Sequence, residues 1–298
     1  MDRGLKEHLA VCLGKKWDDA SVKLGRCGAV SGGCINQAWQ VETSAQPVFV
    51  KTHAGERAEA MFAAEAEGLM EIRKSESVLA PEPYIWGRLD GGPAYLVMEY
   101  IQFAGESRNA MSELGRQLAG MHRYHNTRYG WHRDNTIGST PQPNTWCDQW
   151  ISFLHQHRLG FQFELARENG GGRVYDCGQD LLDNLSAFFA GYSPQPALLH
   201  GDLWSGNQAV SVTGEPVIFD PAVYFGDREA DIAMTRLFGG FSPSFYDAYQ
   251  SEWPLDQGYS VRETLYNLYH ILNHFNLFGG GYLAQAERMC ESLLSEVR

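Results

Sequence analysis

The hydrophobic pattern divides the chain into two unequal parts. The first residues, MDRGLKEHLAVCLGKKW, set apolar positions at helical spacing among charges and predict an amphipathic first helix. Residues 22–53 alternate apolar and polar positions, break at a glycine cluster, alternate again and end on VFVK. That pattern predicts strand, Gly-rich turn, strand, turn, strand. Residues 58–75, AEAMFAAEAEGLMEIRKS, are rich in Ala and Glu at helical spacing and predict a helix, with Pro81 and Pro83 ending that region. AYLVMEYI, residues 94–101, is a continuous apolar run suited to a buried strand.

After Gly105 the character changes. SELGRQLAGMHRY (residues 112–124) predicts a helix, and a loop rich in Gly, Asn, Thr and Pro follows over residues 130–145. Helical stretches come near 146–166 and 178–191, and PALLHGD and PVIFDPA read as short apolar strands. From residue 228 onward the chain predicts mostly helix, the last over about residues 281–297. The expectation is an α+β fold of two lobes: a β-rich N-lobe, residues 1–101, and a mainly helical C-lobe, residues 102–298, joined by a short hinge.

Composition narrows the function classes. The chain's 298 residues suffice for two lobes. A formal net charge of −12 gives no general attraction to nucleic acid or to an anionic membrane. No run approaches the roughly 18 apolar residues of a membrane span, and the charged N-terminus lacks a signal-peptide core, so a cytoplasmic protein is expected. Six scattered cysteines, Cys12, Cys27, Cys34, Cys147, Cys177 and Cys290, form no C-x-x-C pair. They suggest neither a zinc site nor a disulfide framework, and a reducing compartment fits them.

The chemistry concentrates in LLHGDLWSGN, residues 198–207, which puts Asp202 after an apolar strand and Asn207 five positions further on. Protein-kinase catalytic loops set their base Asp and metal-binding Asn at this offset. A sugar hydroxyl is a weak nucleophile that needs a positioned carboxylate, and nucleotide phosphates need Mg²⁺ held by oxygen ligands. In PVIFDPA, Asp220 follows the next strand as a second metal ligand, with Pro221 and Ala222 where protein kinases carry Phe-Gly. Lys51 in VFVK is placed to meet ATP phosphates, and Glu65, fourteen positions on, to hold it. Glu59 and Glu67 compete for that role until the helical phase is known. The turn VSGGCIN, with Ser31, Gly32 and Gly33, can lay backbone N–H groups over the phosphates.

The stretches GAVSGGCINQAW, VFVK, LVMEY, YGWHRDNTIGSTPQPN, LLHGDLWSGN and IFDPAVYFGDREADIAM resemble the fructosamine kinases, or ketosamine-3-kinases, within the aminoglycoside phosphotransferase and choline kinase group. The resemblance implies a protein-kinase-like fold and ATP-dependent phosphorylation of the C3 hydroxyl of ketosamines, the adducts of sugars with amines. The 3-phosphate then breaks down and frees the amine, a deglycation or repair role. The acceptor is expected to be a small-molecule or protein-bound ketosamine, with no nucleic acid or membrane partner, and the chain a monomer or homodimer. Rival readings are a kinase for another hydroxyl, such as an aminoglycoside, choline or thio-sugar, and a nucleotide-binding pseudokinase. The lysine, base and metal Asp are all present, which argues against the last.

Other residues admit plainer readings. Met98, Glu99 and Tyr100 are placed as the hinge whose backbone meets the adenine. Trp204, Trp131, Asp134 and Asn135 are candidates for the acceptor pocket, with Gln142, Asn144 and Trp146 nearby; the bland alternative is a surface turn. His200 is expected to brace the catalytic loop. Asp227, Glu229 and Asp231 are expected to cap the helix that follows and to pair with Arg228 or Arg236. His270 and His274 stand i, i+4 but lack a third ligand, and read as packing or substrate-lobe histidines. Cys34 sits beside the glycines and is a candidate redox-sensitive thiol, with Cys27 as an alternative partner.

Overall fold

A computed structural model describes residues 1–30, 36–105 and 108–297. Helix α1 (Arg3–Trp17) begins where the Asp2 carboxylate accepts the Leu5 amide at 2.9 Å. Five antiparallel strands follow, β1 (Leu24–Val30), β2 (Gln37–Thr43), β3 (Val48–His53), β4 (Pro83–Arg88) and β5 (Ala94–Glu99), in the order β1-β2-β3-β5-β4. Helix α2 (Ala58–Lys74) crosses between β3 and β4. Strand β4 is absent from the sequence expectation, which read Pro81 and Pro83 only as helix breakers. Pro83 instead opens an edge strand, where its missing N–H costs no ladder bond.

The two-residue period of the strands sorts their side chains between the two faces of the sheet. Val48, Val50, Tyr95 and Val97 pack in one cluster with Leu5, Leu9 and Leu13 of α1. Ala94, Leu96 and Met98 pack in the other with Phe62, Leu69 and Ile72 of α2. Burial on both faces explains why β5 reads as an unbroken apolar run. By the same alternation Phe49 and Lys51 face α2, which fixes the lysine's side of the sheet.

After β6 (Phe103–Ala104) the chain is mainly helical: α3 (Arg108–His122), a small hairpin of β7 (Asn135–Ile137) and β8 (Thr140–Gln142), and α4 (Trp150–Phe153). The last runs through a π-helical segment, Leu154–Leu159, into α5 (Gly160–Glu168). Then come α6 (Gly172–Asp183), β9 (Ala197–Leu199), β10 (Gln208–Ser211), β11 (Pro216–Ile218), β12 (Tyr224–Gly226), α7 (Glu229–Leu237), α8 (Pro243–Glu252), α9 (Tyr259–Phe278) and α10 (Tyr282–Glu296). Helix α9 lies in the middle of the large core, with Leu265, Leu268, Ile271, Leu272 and Phe275 buried. Two short ladders carry the functional loops. Strand β9 pairs with β12, while β10 pairs with both β11 and β6. Among the described residues no helix is long and apolar enough to cross a membrane.

Candidate active site

The lysine stands on β3, the middle strand of the five-stranded sheet. Lys51 is buried, and its Nζ donates to Glu65 Oε1 at 2.6 Å and to Asp220 Oδ1. The helical phase of α2 is thereby resolved. Glu59 turns toward Arg88, at 3.7 Å, and Glu67 toward Arg133 and His132, both at 2.7 Å. Burial alone would lower the Lys51 pKa; the carboxylates of Asp220 and Glu65 overcome it and hold the ammonium above its ordinary value. Burial pushes the Glu65 carboxyl up, against the pull of Lys51.

The catalytic loop leaves β9 and enters β10 while a second loop runs from β11 to β12, and backbone bonds tie the two together. Ala222 N donates to His200 O at 2.8 Å and Phe219 N to Asn207 O at 3.1 Å. Gly201 has φ +80°, and a Cβ there would lie 2.1 Å from the Ala222 carbonyl oxygen, so only glycine fits. His200 is wholly buried and bonds through Nε2 to Phe219 O at 3.0 Å, while its Nδ1 accepts the Asp202 amide at 3.3 Å. Burial keeps its imidazole pKa low, which suits a neutral ring that both donates and accepts.

Asp202 and Asn207 meet directly. Asn207 Nδ2 donates to the Asp202 carbonyl at 2.8 Å and to its Oδ2 at 3.2 Å. Burial, and then the charge of Asp220, push the Asp202 carboxyl up to about 7, which suits a base working near neutral pH. Asp220 sits at φ 57°, a strained left-handed backbone for a non-glycine residue, of the kind that persists at functional sites. The donor set fits Mg²⁺. The Asn207 amide spends its NH₂ on Asp202, which leaves Oδ1 as a hard oxygen ligand, and the Asp220 side chain is 45 % exposed.

One residue has a larger part than its sequence context suggests. Asp231 does not cap α7. From inside that helix its carboxylate accepts the amides of His200 at 2.7 Å and Gly201 at 2.9 Å, and the ring of His122 at 3.1 Å. Its neighbours also depart from the expected pairing. Glu229 binds Arg262 through both oxygens, at 2.7 and 3.2 Å, rather than Arg228 or Arg236. Asp227 takes hydrogen bonds from Tyr192 and Tyr266 and from the Glu229 amide, a local cap. Arg228 donates to the Trp253 and Pro254 carbonyls, and Arg236 faces Glu263. Nothing in a single sequence reveals which of three neighbouring acids, all buried, takes the amides of the catalytic loop.

The acceptor candidates separate. Trp204 is 37 % exposed beside the base, and its indole lies over Gly206, where a Cβ would clash at 2.3 Å. Trp131 is 2 % exposed and belongs to the core. Asn135 is buried and donates to Val223 O while accepting from Gln142 and Asn144; Asp134 accepts the Asn144 amide. Gln142 also donates to Ala222 O, so this hairpin braces the second loop from behind. Deeper still, Arg158 donates to Pro143 O and Asn144 Oδ1 with its guanidinium 3.9 Å from the centre of the Tyr224 ring.

At the end of β5, Met98 is buried, the Glu99 amide donates to Glu82 O at 2.8 Å, and Tyr100 is half-buried. Phe103 stacks on Phe219, ring centres 5.5 Å apart, beside Asp220. This pairing was missed because one exposed Phe in a two-residue strand carries no periodic signal. Ser31, Gly32, Gly33 and Cys34 lie outside the described residues. His274 Nδ1 bonds the His270 carbonyl, and no cluster of three or more metal-ligating side chains occurs among the described residues. Cys12, Cys27, Cys147, Cys177 and Cys290 are free thiols.

The fold agrees with the comparisons. A family model described as fructosamine kinase matches residues 10–296. A Synechocystis sp. protein assigned as a ketoamine kinase is 46 % identical over 89 % of this chain and 89 % of its own length. The chloroplastic protein-ribulosamine 3-kinase of Arabidopsis thaliana is 45 % identical over 92 % of this chain and 84 % of its own. The crystal structure of a Haemophilus somnus protein assigned as a fructosamine-3-kinase superposes with a TM-score of 0.85 at 28 % identity, covering 96 % of both chains. An aminoglycoside phosphotransferase in ternary complex with ADP and hygromycin B shares the fold, with a TM-score of 0.62 at 14 % identity over 98 % of both chains. With a protein-kinase-like fold of β-rich N-terminal and helical C-terminal lobes, and a family match over nearly its whole length, this chain belongs to the fructosamine kinase family.

Proposed function

We propose that this chain is an ATP-dependent ketosamine 3-kinase, with Asp202 as the base that takes the proton of the acceptor hydroxyl. The single observation that carries the assignment of roles is the convergence of Lys51, Glu65, Asp202, Asn207 and Asp220 from four separate elements. Lys51, fixed by Glu65, orients the nucleotide phosphates, and the hinge at residues 98–100 meets the adenine. The lobe boundary falls at residues 101–102. Asn207 and Asp220 would hold Mg²⁺, which would supply charge neutralisation at the phosphates.

Asp202 lies one residue beyond the pair of amides gripped by Asp231, so its carboxylate is positioned before the acceptor arrives. The acceptor's C3 hydroxyl hands its proton to the Asp202 carboxylate as its oxygen forms a bond to the γ-phosphorus of ATP, while the bond from that phosphorus to the β,γ-bridging oxygen breaks and ADP leaves. Release of the amine from the product would make the outcome a deglycation. The scattered free thiols fit a reducing cytoplasm.

The test is ATP consumption with Mg²⁺ against ribulosamine and fructosamine derivatives of lysine, with an aminoglycoside and choline as controls. Turnover on the ketosamines is expected, and Asp202→Asn should cut kcat by about 10²- to 10⁴-fold while calorimetry still detects ATP binding. Turnover on a control alone would overturn the acceptor assignment, and near-normal turnover by Asp202→Asn would overturn the base.

A further inference from the structure

Trp204 does not stand alone. Its ring meets Phe238 edge-on at 6.5 Å between centres, Phe238 meets His274 at 4.6 Å, and His274 meets Tyr282 at 5.1 Å and Phe278 at 5.6 Å. The rings form a continuous track from the catalytic loop to the turn between α9 and α10. Of the exposed large hydrophobic side chains among the described residues, three are aromatic: Phe103, Trp204 and Phe278. The first flanks Asp220, and the other two mark the two ends of this track. Phe278, at the outer end, is 65 % exposed, an unfavourable place for a phenyl ring without a partner.

The turn is built to keep the outer end together. Phe278 ends α9 and Tyr282 begins α10, and the intervening Gly279 and Gly280 both have φ +64° with open space around them. Glycine is required there by the backbone conformation rather than by crowding. The inner end is tied to the catalytic loop through α7. That helix ends one residue before Phe238 and carries Asp231, which grips the loop amides.

We propose that Phe238, His274, Phe278 and Tyr282 extend the acceptor site outward from Trp204 as a docking track for the lysine side chain and flanking peptide that carry the ketosamine. The inference rests on the ketosamine-kinase reading and deepens it by selecting a peptide-borne acceptor. In a ketosamine the amine is on C1, two carbons from the C3 hydroxyl. With that hydroxyl at Asp202, the amine lies only two carbons away, within reach of Trp204, which is two residues further along the same loop and exposed. A secondary alkylamine is protonated at neutral pH, and aromatic faces attract such a cation while its methylene stem packs against the rings.

His274 adds a directional element. Its Nδ1 lies 2.8 Å from the His270 carbonyl oxygen, which can only accept, so the hydrogen resides on Nδ1 and Nε2 keeps its lone pair. Burial keeps the ring neutral. An acceptor nitrogen among aromatic faces suits one N–H of a secondary ammonium. A polycation would call instead for free carboxylates. The acids in α7 and just before it are buried and engaged, Glu229 by Arg262, Asp231 by His122 and the loop amides, and Asp227 by two tyrosines.

The test compares two acceptors, ribulosamine on the lysine of a short peptide and the ribulosamine of methylamine, with the wild type, Phe278→Ser and the double variant Phe278→Ser/Tyr282→Ser. The double variant should raise KM for the peptide about tenfold with kcat unchanged, and leave the methylamine adduct unaffected. The exposed single site should move the same way by a smaller factor, and Phe278→Tyr should restore the wild-type KM. Equal losses on both acceptors, or none on either, would overturn the track while leaving the kinase assignment intact. A wild type inactive on both ketosamines would overturn the kinase assignment and the track with it.

Discussion

Replacing Asp231 by Asn changes one atom in a group that touches no substrate, which makes it the sharpest probe of how the catalytic loop is held. The carboxylate accepts two backbone amides, at 2.7 and 2.9 Å, and the His122 ring at 3.1 Å, all in the interior. An asparagine keeps one acceptor oxygen and presents an NH₂ to the remaining donors. One buried donor then loses its partner, at about 1–3 kcal/mol, and the surviving bonds lose their charge assistance, for a total of about 3 kcal/mol. For 298 residues, at about 2.1 cal/mol/K of unfolding entropy per residue, that corresponds to a fall in Tm of roughly 5 °C. The loop relaxes at Gly201, next to the base, and a displacement of about 1 Å there should lower kcat about 10²-fold. KM for ATP should move little, since Lys51 and Glu65 belong to other elements.

The same variant has a pH signature. Burial would raise the Asp231 pKa, but hydrogen bonds, the His122 ring's foremost and the Gly201 amide's among them, hold it below the usual carboxylate value. The folded state thus binds this proton more weakly than the unfolded chain. The stabilisation is full above the unfolded pKa of about 4 and is lost as pH falls through the depressed folded value. Asp231→Asn should therefore flatten the acid limb of the stability–pH curve. Circular-dichroism melts from pH 3 to 7 and steady-state kinetics read both effects. A Tm within about 1 °C of wild type together with kcat within about twofold would refute the clamp.

Two further substitutions probe the same centre. Lys51→Met removes the cation between Glu65 and Asp220, so KM for ATP should rise at least about tenfold and kcat fall, as initial rates over a range of ATP would show. Gly201→Ala places a methyl group against the Ala222 carbonyl at a positive φ; it should cost more than about 2 kcal/mol in urea unfolding and abolish turnover, whereas Gly172→Ala, with open space around it, should do neither.

The regular elements were legible because their signals are local. The alternation in residues 48–53 and the helical spacing of α2 set Lys51 and Glu65 on facing surfaces once the strand packed against the helix. Strand β4 was not legible, because its proline start and its Gly87 mimic a loop and only its pairing with β5 makes it a strand. The predicted loop over residues 130–145 concealed a hairpin whose polar residues point inward to brace Ala222 and Val223. Its Trp131 and Asn135 looked like ligands for a sugar because aromatic and amide groups serve buried networks and open pockets equally well.

By itself the sequence determined the order of elements, the spacing of Asp202, Asn207 and Asp220, and the family. Covalent spacing and hydrophobic period suffice for those, since both are fixed before the chain folds. The tertiary structure alone decided which of Glu59, Glu65 and Glu67 meets Lys51, that Asp231 rather than its neighbours grips the catalytic loop, and that rings from two distant segments line up beyond Trp204. Those choices depend on the packing of elements far apart in the chain, where a few degrees of helix rotation exchange one side chain for the next.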